Sequence, residues 1–239
     1  MNAIILAAGE GTRLRPETIS IPKGMVKLFD KSLLEIQINI FTKCGINDIN
    51  IVTGYLSDQI TFPSINYFKN KNYSSTAGIV SLFCAKEKLQ DSTIITYSDL
   101  VFEKTIIDQV NNFKGDIGIA VDLDWEKKYE NRDQHPKSEA DNVLFDEKGN
   151  ILELRKNIQK PNSIIGESLG LMKLSKKGSK IFLDKYLELE TSHQGKFHNS
   201  PSLKQSIIPD MFQELIDSGI NVEPILISGK WCEIDTPQD

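Results

Sequence analysis

The sequence predicts an α/β fold: a doubly wound, mixed but mostly parallel sheet of Rossmann-like type, with a small β-hairpin excursion to one side. Three observations carry this expectation. Residues 3–8 form an unbroken apolar run that ends on a glycine, the pattern of a strand covered on both faces. Short apolar runs then alternate with helical stretches as far as residue 121, as right-handed βαβ units require. Beyond that point the rhythm changes to two short runs around a glycine turn.

Taken in order, Ala3 to Ala8 is the first, central strand. A polar stretch bearing glycine and proline follows to about Asp30, too long for a tight turn and so a candidate functional loop. Leu33, Leu34, Ile36, Ile38, Ile40 and Phe41 share one broad helical face, closed by Gly45, and Ile49 to Thr53 is the next strand. The alternation goes on with a helix near Gly78 to Leu89, a strand at Thr93 to Tyr97, a helix near Lys104 to Phe113 and a strand at Ile117 to Val121. Asn142 to Phe145, the turn Asp146 to Asn150 and Ile151 to Leu154 predict the hairpin. Helices at about Lys176 to Glu190 and Leu203 to Ser218, and a strand at Val222 to Ile227, complete the core. The last residues, Trp231 to Asp239, resemble the approach to a further helix. Residues 1–239 are therefore expected to form a single domain, with 122–175 supplying much of one wall of its site.

With 239 residues, 39% of them hydrophobic and 26% charged, the chain can bury one large core. A formal net charge of -5 without a dense Lys/Arg block argues against nucleic acid as partner. No apolar run nears the roughly 20 residues that span a bilayer, and no basic segment precedes the opening apolar run. Neither membrane insertion nor secretion is expected, and a cytoplasmic location is. Cys44, Cys84 and Cys232 are odd in number and scattered, which suggests neither a disulfide framework nor a zinc site, and His135, His193 and His198 lack metal-ligand spacing.

The sharpest local signal is Leu6-Ala7-Ala8-Gly9-Glu10-Gly11-Thr12-Arg13-Leu14, followed by Pro22-Lys23. Glycines directly after a buried strand let backbone N–H groups approach a polyphosphate, and Arg13 and Lys23 supply cationic donors to the same anion. Leu14 stands where a dinucleotide-binding fingerprint needs its third glycine, and the spacing is not that of a Walker loop. Asp99, in Tyr97-Ser98-Asp99-Leu100, follows a buried strand and so belongs at a strand's carboxyl end, where open α/β sheets bind ligands.

This string with Pro22-Lys23 resembles the signature of the sugar-phosphate nucleotidyltransferase superfamily, and the likeness runs over essentially the whole chain. The resemblance implies that Leu6 to Thr12 hold the nucleotide phosphates, that Arg13 meets the leaving pyrophosphate and that Lys23 meets the reacting α-phosphate. It also implies a magnesium ion on Asp99 and Asp235, in keeping with that ion's preference for one or two carboxylates plus phosphate oxygens. Thr76, Ala77 and Gly78, with Ser98, are expected on the nucleotide side, where small residues and backbone suit a pyrimidine.

Val121 to Trp125 with Arg132, His135 to Ala140, and Gly166 to Ser175 resemble the branch of small cytidylyltransferases acting on phosphocholine, 2-aminoethylphosphonate and the phosphoramidate of glutamine. That branch implies CTP as one substrate and a small phosphorylated or phosphonylated acceptor as the other, with glutamine phosphate first, in capsule phosphoramidate synthesis. Acceptor residues would come from Asp122, Trp125, Arg132, Glu139, Glu167 and Trp231: a choline needs an aromatic cage, an amino acid needs a cation and an anion. A hexose 1-phosphate acceptor is the nearest enzymatic alternative, and a non-catalytic nucleotide-binding regulator is the alternative from another class. A homodimer is left open.

Overall fold

The computed structural model describes all residues, Met1–Asp239. In chain order its strands are β1 (Asn2–Ala7), β2 (Lys27–Leu28), β3 (Lys31–Ser32), β4 (Asp48–Thr53), β5 (Asn66–Lys69), β6 (Thr93–Tyr97), β7 (Leu100–Phe102), β8 (Ile117–Asp122), β9 (Asp141–Phe145), β10 (Ile151–Lys156), β11 (Ile165–Leu174), β12 (Glu223–Leu226) and β13 (Trp231–Glu233). The α-helices are α1 (Leu33–Lys43), α2 (Gly78–Cys84), α3 (Lys104–Asn112), α4 (Lys176–Ser192) and α5 (Ile208–Asp217). No helix is long and apolar enough to cross a membrane.

A nine-stranded sheet organises the molecule. β1 lies between β4 and β6, parallel to both, and β4 carries β5 at the edge. On the other side β11 runs antiparallel to β6 with its second half and antiparallel to β9 with its first half, while β8 covers its opposite edge and carries β12. Only β10 and β11 oppose the common direction, so the sheet is mixed but mostly parallel, as predicted.

Side-chain alternation fills both faces, as the pleat demands. Ile4 and Leu6 join one core cluster with Val52, Ile95 and Met172, while Ala3, Ile5 and Ala7 point into the other with Ile51, Ile94 and Leu171. Local signals set the helix ends. Ser32 Oγ accepts from Glu35 N at the start of α1, and Ser175 Oγ accepts from Gly178 N at the start of α4. Gly45, at φ 78°, closes α1, and Ile46 N donates back to Phe41 O.

The structure corrects three expectations. The helix expected from Leu203 to Ser218 is divided: a 3-10 turn covers Leu203–Gln205 and α5 starts at Ile208. Asp210 ends the first segment, because its carboxylate accepts from Ile207 N and Ser200 Oγ, a cap that needs extended backbone at Ile207. The helix near Gly78 to Leu89 stops at Cys84 and continues as a 3-10 turn, Lys86–Lys88. Residues 165–174, expected to bear acceptor residues, also form the longest strand, β11. That strand stitches the hairpin β9–β10 into the main sheet, so the hairpin is an extension of the sheet. The Asp146 turn stands as predicted: Gly149 has φ 83°, and Asp146 Oδ1 accepts from Lys148 N and Asn150 N.

Candidate active site

Parallel pairing brings the carboxyl ends of β1, β4 and β6 to one rim. Leu6 pairs with Tyr97, and Ser98 N donates to Leu6 O at 3.0 Å, so the glycine loop after β1 and Asp99 after β6 leave the sheet side by side. Tyr55 N, just past β4, donates to Ala8 O at 3.0 Å and supports the loop from its other flank. Asp235 arrives from the far end of the chain through a two-stranded ribbon: β13 pairs with β7, which begins right after Asp99, and Ile234 N donates to Asp99 O at 3.0 Å. A short ladder thus places two aspartates that lie far apart in sequence at one point.

Lys23 stands between them. Its Nζ lies 2.6 Å from Asp99 Oδ2 and also donates to Asp235 Oδ1. Burial works against the ammonium charge, but the two carboxylates outweigh it and hold the Lys23 pKa above its ordinary value. Arg13 Nη2 reaches Asp235 Oδ2 at 2.8 Å. Burial opposes the Asp235 charge, yet Lys23, Arg13 and His135 together keep its carboxyl below the usual range. The cleft above these groups has a volume of about 330 Å³ and is lined by Leu6, Ala8, Gly9, Gly11, Thr12, Arg13, Lys23, Thr76, Ala77, Gly78, Ser98, Asp99 and Asp235. Gly11 adopts φ 62°, and a Cβ there would lie 3.0 Å from Lys23 Cβ, so the turn and the lysine pack at contact distance.

Two residues expected on the nucleotide side do not line this cleft. Ala7 is buried within β1, and Glu10 accepts from Arg15 Nη2 at 3.0 Å on the loop's outer side. Tyr73, Ser81 and Tyr97 line it and were not anticipated. The hydroxyls of Thr76 and Ser81 are both held by Asn70 Nδ2 at 3.0 Å, which fixes the segment opening α2.

A second cavity, of about 190 Å³, shares Arg13, Tyr97, Asp99 and Asp235 with the first and adds Glu139, Asp141, Lys156 and Glu233. A third, of about 160 Å³, shares Glu233 with the second and is lined by Lys128, Tyr129, Arg132, Glu167 and Trp231. Three of the expected acceptor residues, Arg132, Glu167 and Trp231, therefore meet in one space, and Glu139 lies in the neighbouring one. Asp122 accepts from Trp231 Nε1 at 2.8 Å, and Trp125 Nε1 donates to Ile165 O, so both are engaged in packing and line none of these cavities. Trp125 meets Tyr129 edge-on while Lys128 lies over Trp231, so the structure does not gather the aromatics into a cage.

Sequence reasoning missed Glu233, Asp141 and the role of His135. Glu233 sits in the Glu-Ile-Asp run that gave Asp235, and alternation could have placed both on one side of the strand end. Burial pushes the Glu233 carboxyl well above its ordinary pKa, with Asp99 and Asp235 adding to the effect. His135 is buried, with Nδ1 3.2 Å from Asp235 Oδ2 and 3.1 Å from Arg132 Nη2. Burial lowers its pKa against the pull of Asp235.

The sequence model of the family described as nucleotidyl transferase matches residues 2–117. A Campylobacter jejuni protein named CTP:phosphoglutamine cytidylyltransferase is 32% identical over 252 aligned positions, covering 100% of this chain and 97% of its own. The chain belongs to the nucleotidyl transferase family. A choline-phosphate cytidylyltransferase of Streptococcus pneumoniae is 39% identical over 121 positions, 49% of this chain and 50% of its own. The solved structure of a CTP:phosphocholine cytidylyltransferase from that organism superposes with a TM-score of 0.72 at 24% identity, over 99% of this chain and 94% of the other, which shows the fold.

For a nucleotidyl transferase the fit of a divalent ion can be tested on the donors. Oxygens from Asp99 and Asp235 already converge on one cation, the Lys23 ammonium, and ligand atoms of His135, Glu233 and Asp235 lie within 4.8 Å of one another. Carboxylate oxygens from separate chain segments, opening onto a cleft able to admit phosphate oxygens, suit a hard cation such as Mg²⁺. The residues fit the ion.

Proposed function

We propose that this nucleotidyl transferase is a cytidylyltransferase that transfers CMP from CTP to a small phosphorylated acceptor, L-glutamine phosphate, and releases pyrophosphate. The observation that carries the transfer is the meeting of Lys23, Arg13, Asp99 and Asp235 beneath the glycine loop. The choice of CTP and of glutamine phosphate rests on the full-length likeness to the Campylobacter jejuni protein of that name, and capsule phosphoramidate synthesis in the cytoplasm is the setting it suggests.

In this reading the loop N–H groups of Gly9, Gly11 and Thr12 bind the β- and γ-phosphates, and Arg13 follows the charge onto the departing pyrophosphate. Lys23 turns from the two aspartates to the α-phosphate and offsets the charge gathering there. Thr76, Ala77, Gly78 and Ser98 position the nucleoside. An acceptor phosphate oxygen is anionic already, so in-line attack on the α-phosphorus needs alignment rather than a general base. A Mg²⁺ held by Asp99 and Asp235 would supply charge neutralisation on the triphosphate.

The test is pyrophosphate release over a matrix of four nucleoside triphosphates against phosphoglutamine, phosphocholine, 2-aminoethylphosphonate and glucose 1-phosphate. Turnover restricted to CTP with phosphoglutamine is expected. Glucose 1-phosphate as sole acceptor would replace the acceptor assignment, and no release with any pair in Mg²⁺ would leave a nucleotide-binding regulator.

A further inference from the structure

The third cavity is lined by two charged side chains, Glu167 buried and Arg132 half-buried, each with one buried polar atom that has no partner within the protein. Glu167 is 2% exposed; Tyr129 Oη donates to its Oε1, and its Oε2 has no hydrogen-bond partner. Arg132 gives Nη2 to Asp239 Oδ1 at 2.8 Å and to His135 Nδ1 at 3.1 Å, and its Nε is likewise buried and unpartnered. The Tyr129 ring fixes both, since it orients Glu167 through its hydroxyl and lies 5.0 Å under the Arg132 guanidinium. The sheet does not satisfy Glu167 either, because Asn142 Nδ2, on its ladder partner, is also without an acceptor. A buried donor and a buried acceptor left open in one folded site are costly unless a ligand completes them.

We infer that this space is a subsite for the zwitterionic head of an α-amino acid, with its ammonium on Glu167 Oε2 and its carboxylate on Arg132 Nε and Lys128 Nζ. A volume of about 160 Å³ suits such a head group, and Glu233, shared with the cavity that contains Asp99 and Asp235, joins the subsite to the phosphate centre. Asp122 is taken by Trp231 and, at 3.5 Å, by Lys128, whose Nζ keeps further donors for a ligand, and Glu139 is taken by Lys156. Burial raises the Glu167 pKa to about 7, and a cation beside Oε2 draws it back to the ionised form. The inference rests on the acceptor reading above and selects amino-acid acceptors over choline, aminoalkyl and sugar ones.

Calorimetric titration tests it without turnover, using free L-glutamine and, as the partner lacking the ammonium, glutaramic acid. Wild type should bind L-glutamine and reject glutaramic acid, and Glu167→Gln and Arg132→Gln should each weaken L-glutamine by about tenfold to a hundredfold. CTP binding should stay within about threefold in both variants, which shows the nucleotide cleft intact and keeps a folding defect apart from a lost contact. Failure of wild type to discriminate the two ligands, or equal affinity in the nearly isosteric Glu167→Gln, would overturn the subsite. Absence of CTP turnover alongside selective L-glutamine binding would instead count against the proposed transfer reaction and leave the subsite standing.

Discussion

At the scale of single residues, the Lys23 ammonium stands between the Asp99 and Asp235 carboxylates, and the proposed transfer requires it to leave them for the triphosphate. Lys23→Ala should lower turnover by roughly a hundredfold to a thousandfold, the usual cost of losing one transition-state donor. Asp99→Asn should fall comparably, and steady-state pyrophosphate assays read both. Glu167 gives a pH signature. Its folded pKa of about 7 exceeds the unfolded value of 4.5, so the native state binds the extra proton, and stability falls as pH rises from the unfolded value through 7. Glu167→Gln should therefore raise stability at pH 8 by up to about 3 kcal/mol, read as a higher melting temperature, and change little at pH 4. A melting curve with the opposite pH trend would remove the buried-acid account. Lys23, Arg13 and Asp99 were legible because their motif is contiguous or directly follows a strand. Glu233 carried only its alternation with Asp235 as a signal, and Asp141 carried none, because tertiary pairing alone brings it into a cavity.

Among elements, the support under the glycine loop comes from the end of β4. A Cβ on Gly54 would meet Ala8 O at 2.5 Å and Tyr73 Cβ at 2.8 Å, one on the loop and the other on the wall of the cleft beneath it. Gly54→Ala should push these apart, raise the KM for CTP by about tenfold and cost about 1–3 kcal/mol of stability, read by kinetics and chemical denaturation. The βαβ elements could be read from periodicity because both faces of their strands are buried. The sequence predicts α5 too long because apolar spacing runs through Ser206 and Ile207, and only the Asp210 carboxylate marks the break. β11 is not marked as a strand in the sequence because Gly166, Glu167, Ser168, Gly170 and Lys173 interrupt its apolar run, with Gly170 at φ 68°.

Across the whole molecule, the cleft that the proposed reaction gives to the nucleotide is built on the first half of the chain and closed by Asp235 from the last residues, so no isolated half carries the site. Chelation with EDTA should abolish pyrophosphate release while moving the melting temperature by less than about 2 °C, because Lys23 already balances Asp99 and Asp235 without a metal. A large drop would mean that the ion holds the fold. The general topology was legible from strand–helix alternation, whereas the placement of Glu167 in the third cavity depends on β11, which touches β6 with one half and β9 with the other. That shared strand acts as a ruler. One inserted residue between Glu167 and Leu171 would reverse the facing of every side chain upstream and swing the Glu167 carboxylate to the opposite side of the sheet. On the amino-acid reading, the span tolerated between a substrate's phosphate and its head group is engraved in the length of one strand, and lineages that adopt a longer or shorter substrate would have to recut that strand first.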